Sequence, residues 1–262
     1  MRNYFFSVFF LLSSPIFAFQ ACILVFGPPG CGKGTFSQFL KTNHHYNHIS
    51  AGDLVRNEIV QKTSIGLQIE EIVKQGKFID SEIMHSLIRS KVHELCRYNK
   101  SFIIDGFGHT QEDLQFLHEL LDSLNLINKT FILFLDSPNE VCEQRILSRQ
   151  VCPQCGHVYN IQSVRPQINK QCDLCSAPLK QRLNDTKQVI KKRIKDYRSK
   201  TEATYKKACD FFPVLFYQTN KNIQENTQWY SFLAENIDSF EGDSTQFCTL
   251  VREKPNLKEK NI

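Results

Sequence analysis

The stretch GPPGCGKGT, residues 27–35, constrains the fold more than any other part of this 262-residue chain. It follows a short apolar run, residues 22–26, and precedes a helical pattern over residues 36–42. Glycines let such a loop curl until its backbone N–H groups point inward at phosphate oxygens, and the helix N-terminus adds its positive end. The order strand, loop, helix therefore predicts a phosphate-binding loop in which Lys33 supplies a mobile positive charge.

The pattern beyond the loop predicts an α/β fold with a parallel sheet, because short buried strands alternate with amphipathic helices. After a helical region that starts at Asp53, further strands are predicted at residues 102–104, 131–135 and 214–217. Further helices are predicted at residues 83–95, 114–124, 141–150, 189–207 and 229–237. With residues 22–26, four strands are recognisable from the residues alone.

Composition narrows the class of protein. The chain is long enough for one sizeable α/β core with small inserted modules. A hydrophobic fraction of 41% and a charged fraction of 23% are typical of a globular protein. The formal charge of +5 is modest, and no basic stripe with interleaved aromatic residues is visible. We therefore expect no nucleic-acid partner.

Two close pairs of cysteines predict a metal site. Cys152 and Cys155 form one C-x-x-C pair, and Cys172 and Cys175 form the second after sixteen intervening residues. Four thiolates would close a tetrahedral zinc shell and leave no position for a substrate, so the metal would be structural. Free thiols and two disulfides are the alternatives, and disulfides gain weight if the protein is exported.

The first eighteen residues resemble a secretory signal peptide, with an early Arg2, an apolar run and the small Ala18 before a possible cleavage point. This segment favours export to a periplasm or the exterior, whereas free thiols favour the cytoplasm. A plain hydrophobic extension, or a start codon placed too early, is the alternative to a signal peptide. No later apolar segment is long enough for a membrane span, so we expect none after signal removal.

Several motifs together resemble the adenylate kinase family of nucleoside monophosphate kinases, in its long form with a zinc-binding lid. They are GxPGxGKGT, SAGD with Arg56 three residues after Asp53, DGF at Asp105, QRL-ND with Arg182, and KKR at Arg193. The resemblance covers about residues 22–237. It implies a P-loop kinase with a parallel five-stranded sheet flanked by helices, and a monomer.

The resemblance also implies a division of the chain into parts. The core would comprise residues 19–49, 82–149 and 186–240. A helical region that binds the nucleoside monophosphate would occupy residues 50–81, the zinc lid residues 150–185, and a tail residues 241–262.

By the same resemblance, the donor would be ATP with Mg²⁺. The loop residues expected to hold its phosphates are Gly27, Pro28, Pro29, Gly30, Cys31, Gly32, Lys33, Gly34 and Thr35. Arg145 would lie against the ATP base, one turn from Arg149 on one helix face, and Tyr159 would contact ATP from the lid. Arg149, Arg182 and Arg193 would grip phosphates, which suits planar, always-charged guanidinium groups. Asp105 would hold the Mg²⁺ water shell.

Asp185 would help to orient the closing lid, as the resemblance implies. Asn184 stands where the family usually has an acidic residue.

The acceptor residues implied by the resemblance are Ser50, Ala51, Arg56, Gly106, His109, Asp113, Arg182 and Arg193. Three of these differ from the family pattern: His109 replaces an arginine that binds the acceptor phosphate, Asp113 replaces a glutamine that reads the adenine, and Ala51 replaces a threonine. Because histidine has an unperturbed pKa of about 6.5, His109 would be mostly neutral at pH 7.

Three functions follow from this altered acceptor site. The first is conversion of ATP and AMP to two ADP with weakened AMP binding. The second is phosphoryl transfer to another monophosphate acceptor. The third is a non-catalytic, zinc-stabilised nucleotide-binding module.

Overall fold

A computed structural model of the chain describes residues 21–74, 79–182, 185–201, 204, 207–219, 223–238, 243–245 and 248. The signal-like segment 1–18 and most of the tail lie outside these ranges, so the predictions about them stay predictions. Among the helices of the described residues, none has the length and apolar character needed to cross a membrane.

The described chain alternates strands and helices. The strands are β1 Cys22–Phe26, β2 Asn47–Ser50, β3 Phe102–Asp105, β4 Thr130–Asp136, β5 Arg149–Val151, β6 Val158–Asn160 and β7 Val214–Gln218. The helices are α1 Lys33–His44, α2 Ala51–Gln61, α3 Ser64–Lys74, α4 Ser81–Cys96, α5 Gln111–Ser123, α6 Asn139–Leu147, α7 Lys187–Asp196 and α8 Ile223–Asp238.

A parallel five-stranded sheet in the order β2-β3-β1-β4-β7 forms the core, which confirms the predicted fold class. The fifth strand, β2, was not recognisable from the residues alone. It is a four-residue edge strand in which only Ile49 is fully buried. Such a strand lacks the continuous apolar run by which β1 and β4 were found.

The two faces of the sheet carry separate apolar layers. Along β1, Ile23 and Val25 pack with residues of α1, α6, α7 and α8. Cys22, Leu24 and Phe26 point to the opposite face, where α4 and α5 cover the sheet. Because alternate side chains of one strand enter both layers, the sheet is covered on both sides, and its polar residues lie at the strand ends.

Two small parts project from this core. Helices α2 and α3 follow β2, within the region predicted to bind the monophosphate. Strands β5 and β6 form an antiparallel hairpin within the predicted lid, next to a small cluster of Cys152, Tyr159, Cys172 and Leu179. The exact boundaries of both parts stay predictions.

The predicted helix over residues 141–150 is partly wrong. Helix α6 ends at Leu147, where the hydroxyl of Ser148 donates to the Gln144 carbonyl at 2.6 Å. Arg149 then begins β5, so Arg145 and Arg149 do not share a helix face. The predicted helix over residues 189–207 also differs from the structure. Helix α7 ends at Asp196, and a π-helical turn, Tyr197–Thr201, follows it directly.

Candidate active site

The phosphate loop is held close to its neighbours by two glycines. Gly27 has a φ of 143°, and a Cβ there would lie 2.0 Å from the carbonyl oxygen of Leu135 on β4. Gly30 has a φ of 85°, and its Cβ would lie 2.5 Å from the carbonyl oxygen of Cys142 on α6. Both positions therefore require glycine, as the motif predicted.

The flank of the loop is held by polar contacts that the sequence did not reveal. The Arg145 Nη1 group donates to the Cys31 carbonyl at 3.2 Å and to the hydroxyls of Ser137 and Thr219 at 3.1 and 3.0 Å. The Thr219 hydroxyl donates to the same Cys31 carbonyl at 2.8 Å. Arg145 therefore supports the loop, and its contact with the ATP base stays a prediction. Thr219 belongs to no motif, and only its place directly after β7 could have suggested it.

The ammonium group of Lys33 lies against the phosphate loop. Its Nζ donates to the carbonyl oxygens of Gly27 at 2.7 Å and Pro28 at 3.1 Å. An ionised phosphate is a stronger partner than these neutral carbonyls because the hydrogen bond is then charge-assisted at both ends. Gly34 and Thr35 lie in the first turn of α1, whose amide groups point toward the loop.

Asp105 ends β3 at the edge of the sheet that also carries the loop. It lies beside Val25 of β1 and Ser50 of β2 in the strand register. The His48 Nε2 atom lies 3.4 Å from Asp105 Oδ2, and both side chains are mostly buried. The carboxylate thus lies at the end of β3, at the same edge of the sheet as the phosphate loop, and its predicted role toward Mg²⁺ stays a prediction. The histidine contact was not foreseen.

An ion pair joins the two ends of the predicted lid. Arg149 donates from Nε and Nη2 to the two oxygens of Asp185, at 2.9 and 2.6 Å. The Asp185 side chain is completely buried, whereas that of Arg149 is 18% exposed. This bidentate pair links β5 to the segment before α7, and so connects the two ends of the lid. Asn184 lies outside the described residues.

The predicted phosphate-binding arginines come together around this pair. Desolvation in the cleft, followed by the positive charges of Arg149 and Arg56, lowers the pKa of Arg182. Desolvation and the charge of Arg149 likewise lower the pKa of Arg193. Four guanidinium groups therefore concentrate positive charge in one region, which favours binding of several phosphate groups.

Arg56, the predicted acceptor arginine, is paired with Asp53 one turn earlier on α2. Although burial of the carboxyl opposes it, this hydrogen bond and charge hold the pKa of Asp53 below its ordinary value. Ser50 caps the same helix, with its hydroxyl accepting from the Asp53 amide at 3.3 Å. Ala51 is buried and offers no hydroxyl where the family has one. An acceptor phosphate would compete with Asp53 for Arg56.

His109 follows a turn with two glycines in the left-handed region, Gly106 and Gly108. Although part of its surface reaches solvent, desolvation by the chain around the ring, and then the positive charge of Lys33, lowers the pKa of His109. The negative charges of Asp113 and Asp105 oppose this shift but do not reverse it. The direction of this shift favours the neutral ring, and the charge interaction shows that His109 lies near Lys33.

Asp113 is engaged within the protein. Its Oδ2 accepts from the Thr110 amide at 3.2 Å, which completes a capping box at the start of α5. Its Oδ1 lies 3.0 Å from His85 Nε2, and the His85 ring stacks on Phe116 at 4.0 Å. Only 11% of the Asp113 side chain is exposed. The carboxylate is thus satisfied by α4 and α5, and its effect on an acceptor base stays a prediction.

The four lid cysteines converge. Their sulfur atoms all lie within 4.8 Å of one another, and none is in a disulfide. The Cys152–Cys175 and Cys155–Cys172 sulfur pairs lie 3.4 and 3.6 Å apart. Zn–S bonds of about 2.3 Å give sulfur separations of roughly 3.8 Å in a tetrahedron, so the set fits one tetrahedral metal ion.

The two cysteine turns have matching geometry. In the first, the Cys152 amide donates to the His157 carbonyl at 2.9 Å, and in the second, the Cys172 amide donates to the Ala177 carbonyl at 2.9 Å. Gly156 and Ser176 occupy the same left-handed position after each pair. Burial raises the pKa of Cys172, but hydrogen bonds from Tyr159 and two backbone amides outweigh it and lower that pKa to about 6, whereas burial raises the pKa of Cys155. The matching backbone geometry of the two turns is what fits them to a shared metal ion.

Tyr159 lies inside this lid cluster and is 2% exposed. Its ring packs edge-on against His157, and its hydroxyl contacts Cys172. The structure thus gives the side chain a place beside the cysteines, and the predicted contact with ATP stays untested.

The sequence of this chain is similar to those of known adenylate kinases. A family model described as adenylate kinase matches residues 25–209. The chain is 36% identical over 180 residues to the adenylate kinase of Petrotoga mobilis, covering 69% of this chain and 81% of that protein. It is 33% identical over 201 residues to the adenylate kinase of Thermosipho melanesiensis, covering 76% and 88%. It is 31% identical over 225 residues to that of Clostridium tetani, covering 84% and 98%.

Proposed function

Because this chain belongs to the adenylate kinase family, we propose that it transfers the γ-phosphoryl group of ATP to AMP, giving two molecules of ADP. The observations that support the proposal are the glycine-shaped phosphate loop and the group of arginines whose charges act on one another, Arg56, Arg149, Arg182 and Arg193. Phosphoryl transfer requires positioning and charge stabilisation rather than a covalent protein intermediate, and these groups supply both.

In this mechanism the loop amides and Lys33 bind the β- and γ-phosphates of ATP. Mg²⁺ would neutralise charge on the same phosphates, and Asp105 would hold its water shell. An oxygen of the AMP phosphate forms the new bond to the γ-phosphorus as the bond to the β-phosphate oxygen breaks, and ADP leaves with that electron pair. Arg149, Arg182 and Arg193 would stabilise the charge spread over the transferred oxygens.

The lid would exclude water during transfer. Arg182 lies close enough to Arg56 for their charges to interact, so lid-side and acceptor-side groups face one phosphate region. Closing such a lid prevents hydrolysis of ATP and strengthens the electrostatic interactions inside. We propose that the four cysteines hold a structural Zn²⁺ that keeps the lid folded, since four thiolates leave no open position on the metal.

The replacements on the acceptor side are expected to weaken the binding of AMP. Arg56 remains, but the neutral ring of His109 lacks the guanidinium fork that grips two phosphate oxygens. A hydrogen bond to a charged group is worth roughly 1.5–3 kcal/mol, so one missing arginine lowers acceptor binding strongly.

A second candidate is transfer to a different nucleoside monophosphate. It is favoured by Asp113, which is held by His85 and Thr110 and offers no amide to an adenine. In this case the loop, the arginines and Asp105 act unchanged, and only the acceptor base differs.

The test uses the full chain loaded with Zn²⁺. The protein is mixed with ATP and Mg²⁺ and, separately, with AMP, CMP, UMP, GMP or dAMP, and the products are resolved by chromatography. Formation of ADP from AMP at about 1–100 per second supports the proposal. Faster transfer to another monophosphate selects the second candidate. Binding of ATP without any diphosphate product rejects both and leaves a nucleotide-binding module.

A further inference from the structure

We propose that Tyr159 is an outer-shell residue of the lid metal centre, whose phenol donates a hydrogen bond to the Cys172 thiolate and fixes that ligand for a zinc-type ion. The Tyr159 hydroxyl oxygen lies 3.6 Å from Cys172 Sγ, within hydrogen-bond range for sulfur. Tyr159 and Cys172 are 2% and 1% exposed, so water does not compete for this contact. The site itself fits a metal through its four converging sulfurs.

The direction of the phenol proton follows from a second contact. The backbone amide of Asp173 donates to the Tyr159 oxygen at 2.8 Å. A phenol has one proton, and a hydroxyl oxygen that already accepts from an amide directs that proton toward its remaining partner. Cys172 is that partner, and a thiolate can only accept. The hydrogen bond is therefore strongest when the sulfur is ionised and bound to a metal.

The contact distinguishes the two cysteine turns. In the first turn, the Cys155 amide donates to Cys152 Sγ at 3.4 Å, which is a backbone contact. Within the described part of the chain, no side chain other than Tyr159 and the cysteines themselves contacts the four sulfurs by a hydrogen bond. Tyr159 thus gives the second turn a support that the first turn lacks.

Tyr159 also connects this turn to the β5–β6 hairpin. It lies on β6, opposite Gln150 of β5, and the neighbouring pair is Arg149 with Asn160. The metal ligand Cys172 is therefore one hydrogen bond away from the hairpin that carries Arg149. Outer-shell partners of this kind orient a ligand and raise metal affinity, and their loss costs about 10–100-fold in affinity.

The test measures metal binding and does not depend on phosphoryl transfer. The full chain and its Tyr159→Phe variant are loaded with Zn²⁺ and titrated with the chromogenic chelator 4-(2-pyridylazo)resorcinol. Because phenylalanine keeps the ring and removes only the hydroxyl, the variant should bind Zn²⁺ about 10–100-fold more weakly. With Co²⁺ in place of Zn²⁺, the sulfur-to-metal charge-transfer bands of the variant should shift.

Two controls separate the hydrogen bond from packing. Tyr98→Phe removes a hydroxyl that is 70% exposed and should leave Zn²⁺ affinity unchanged. His157→Ala removes the ring that packs against Tyr159, but not the hydrogen bond, and should have a smaller effect than Tyr159→Phe. An affinity of Tyr159→Phe within twofold of the unaltered protein, or an equal loss in His157→Ala, would overturn the assignment.

Discussion

The predicted donor and acceptor sides of the candidate site are built differently. On the donor side, the phosphate loop is shaped by glycines packed against Leu135 and Cys142, and Arg145 and Thr219 hold its backbone. On the acceptor side, the groups at the expected contact positions are side chains, and two of them, Arg56 and Asp113, are paired within the protein. Backbone geometry tolerates few substitutions, whereas a side chain that contacts a ligand can be exchanged without altering the fold. This difference explains how His109 and Asp113 can stand where the family pattern has an arginine and a glutamine, while the phosphate loop is unchanged.

The largest effect is expected when the positive charge of Lys33 is removed from the phosphate loop, which tests whether the donor side depends on that loop. Lys33→Ala should lower kcat/KM for ATP by about 10²–10³-fold, as loss of one preorganised electrostatic group does elsewhere. Steady-state kinetics with ATP as the varied substrate measures the effect. Lys41→Ala, an exposed lysine on the same helix, should have little effect. Equal activity of Lys33→Ala and the unaltered protein would contradict the role of the loop.

The second test removes the ion pair that joins the ends of the lid. Asp185→Ala leaves Arg149 without its buried partner, and because that arginine is partly exposed we expect a loss of about 2–3 kcal/mol, below the range for fully buried pairs. Chemical denaturation measures the free energy of unfolding. The exposed Asp210→Ala should change it by less than about 0.5 kcal/mol. A similar small change in Asp185→Ala would show that the pair does not stabilise the fold.

The third test repairs the acceptor side. His109→Arg should raise kcat/KM for AMP about tenfold or more, since a charged hydrogen bond of at least about 1.5 kcal/mol is regained. Kinetics at saturating ATP give the value. Gln115→Arg adds the same charge on the exposed face of α5 and should not reproduce the gain. If both variants behave alike, the effect is one of net charge and not of position.

The smallest expected effect is a dependence of acceptor binding on pH. Desolvation, and then the positive charge of Lys33, lowers the pKa of His109, which favours the neutral ring in the free protein. A bound phosphate favours the protonated ring and raises that pKa, so acceptor affinity should rise as pH falls from 8 to 6, by less than about tenfold per pH unit. The ratio of AMP KM values for the unaltered protein and His109→Gln isolates this effect, because protonation of AMP itself is common to both. A ratio that does not change with pH rules out a protonated His109.

Local patterns were sufficient for part of this protein. The phosphate loop, the cysteine pairs and four of the five core strands were predicted because each depends on residues that are adjacent in the chain. A buried parallel strand needs a continuous apolar run, and β1, β3, β4 and β7 each contain one. The residues of β2 contain no such apolar run, and their pairing with β3 is what makes them a strand.

The tertiary structure decided the features that join distant residues. Thr219 meets Cys31 across 188 positions, and Asp185 meets Arg149 across 36. His85 reaches Asp113 only because α4 packs beside α5. By itself, the sequence determined the kind of fold, the phosphate loop and the cluster of four cysteines, since short-range spacing specifies them. Which side chains are free to meet a substrate, and which are paired within the protein, depends on contacts that no local pattern records.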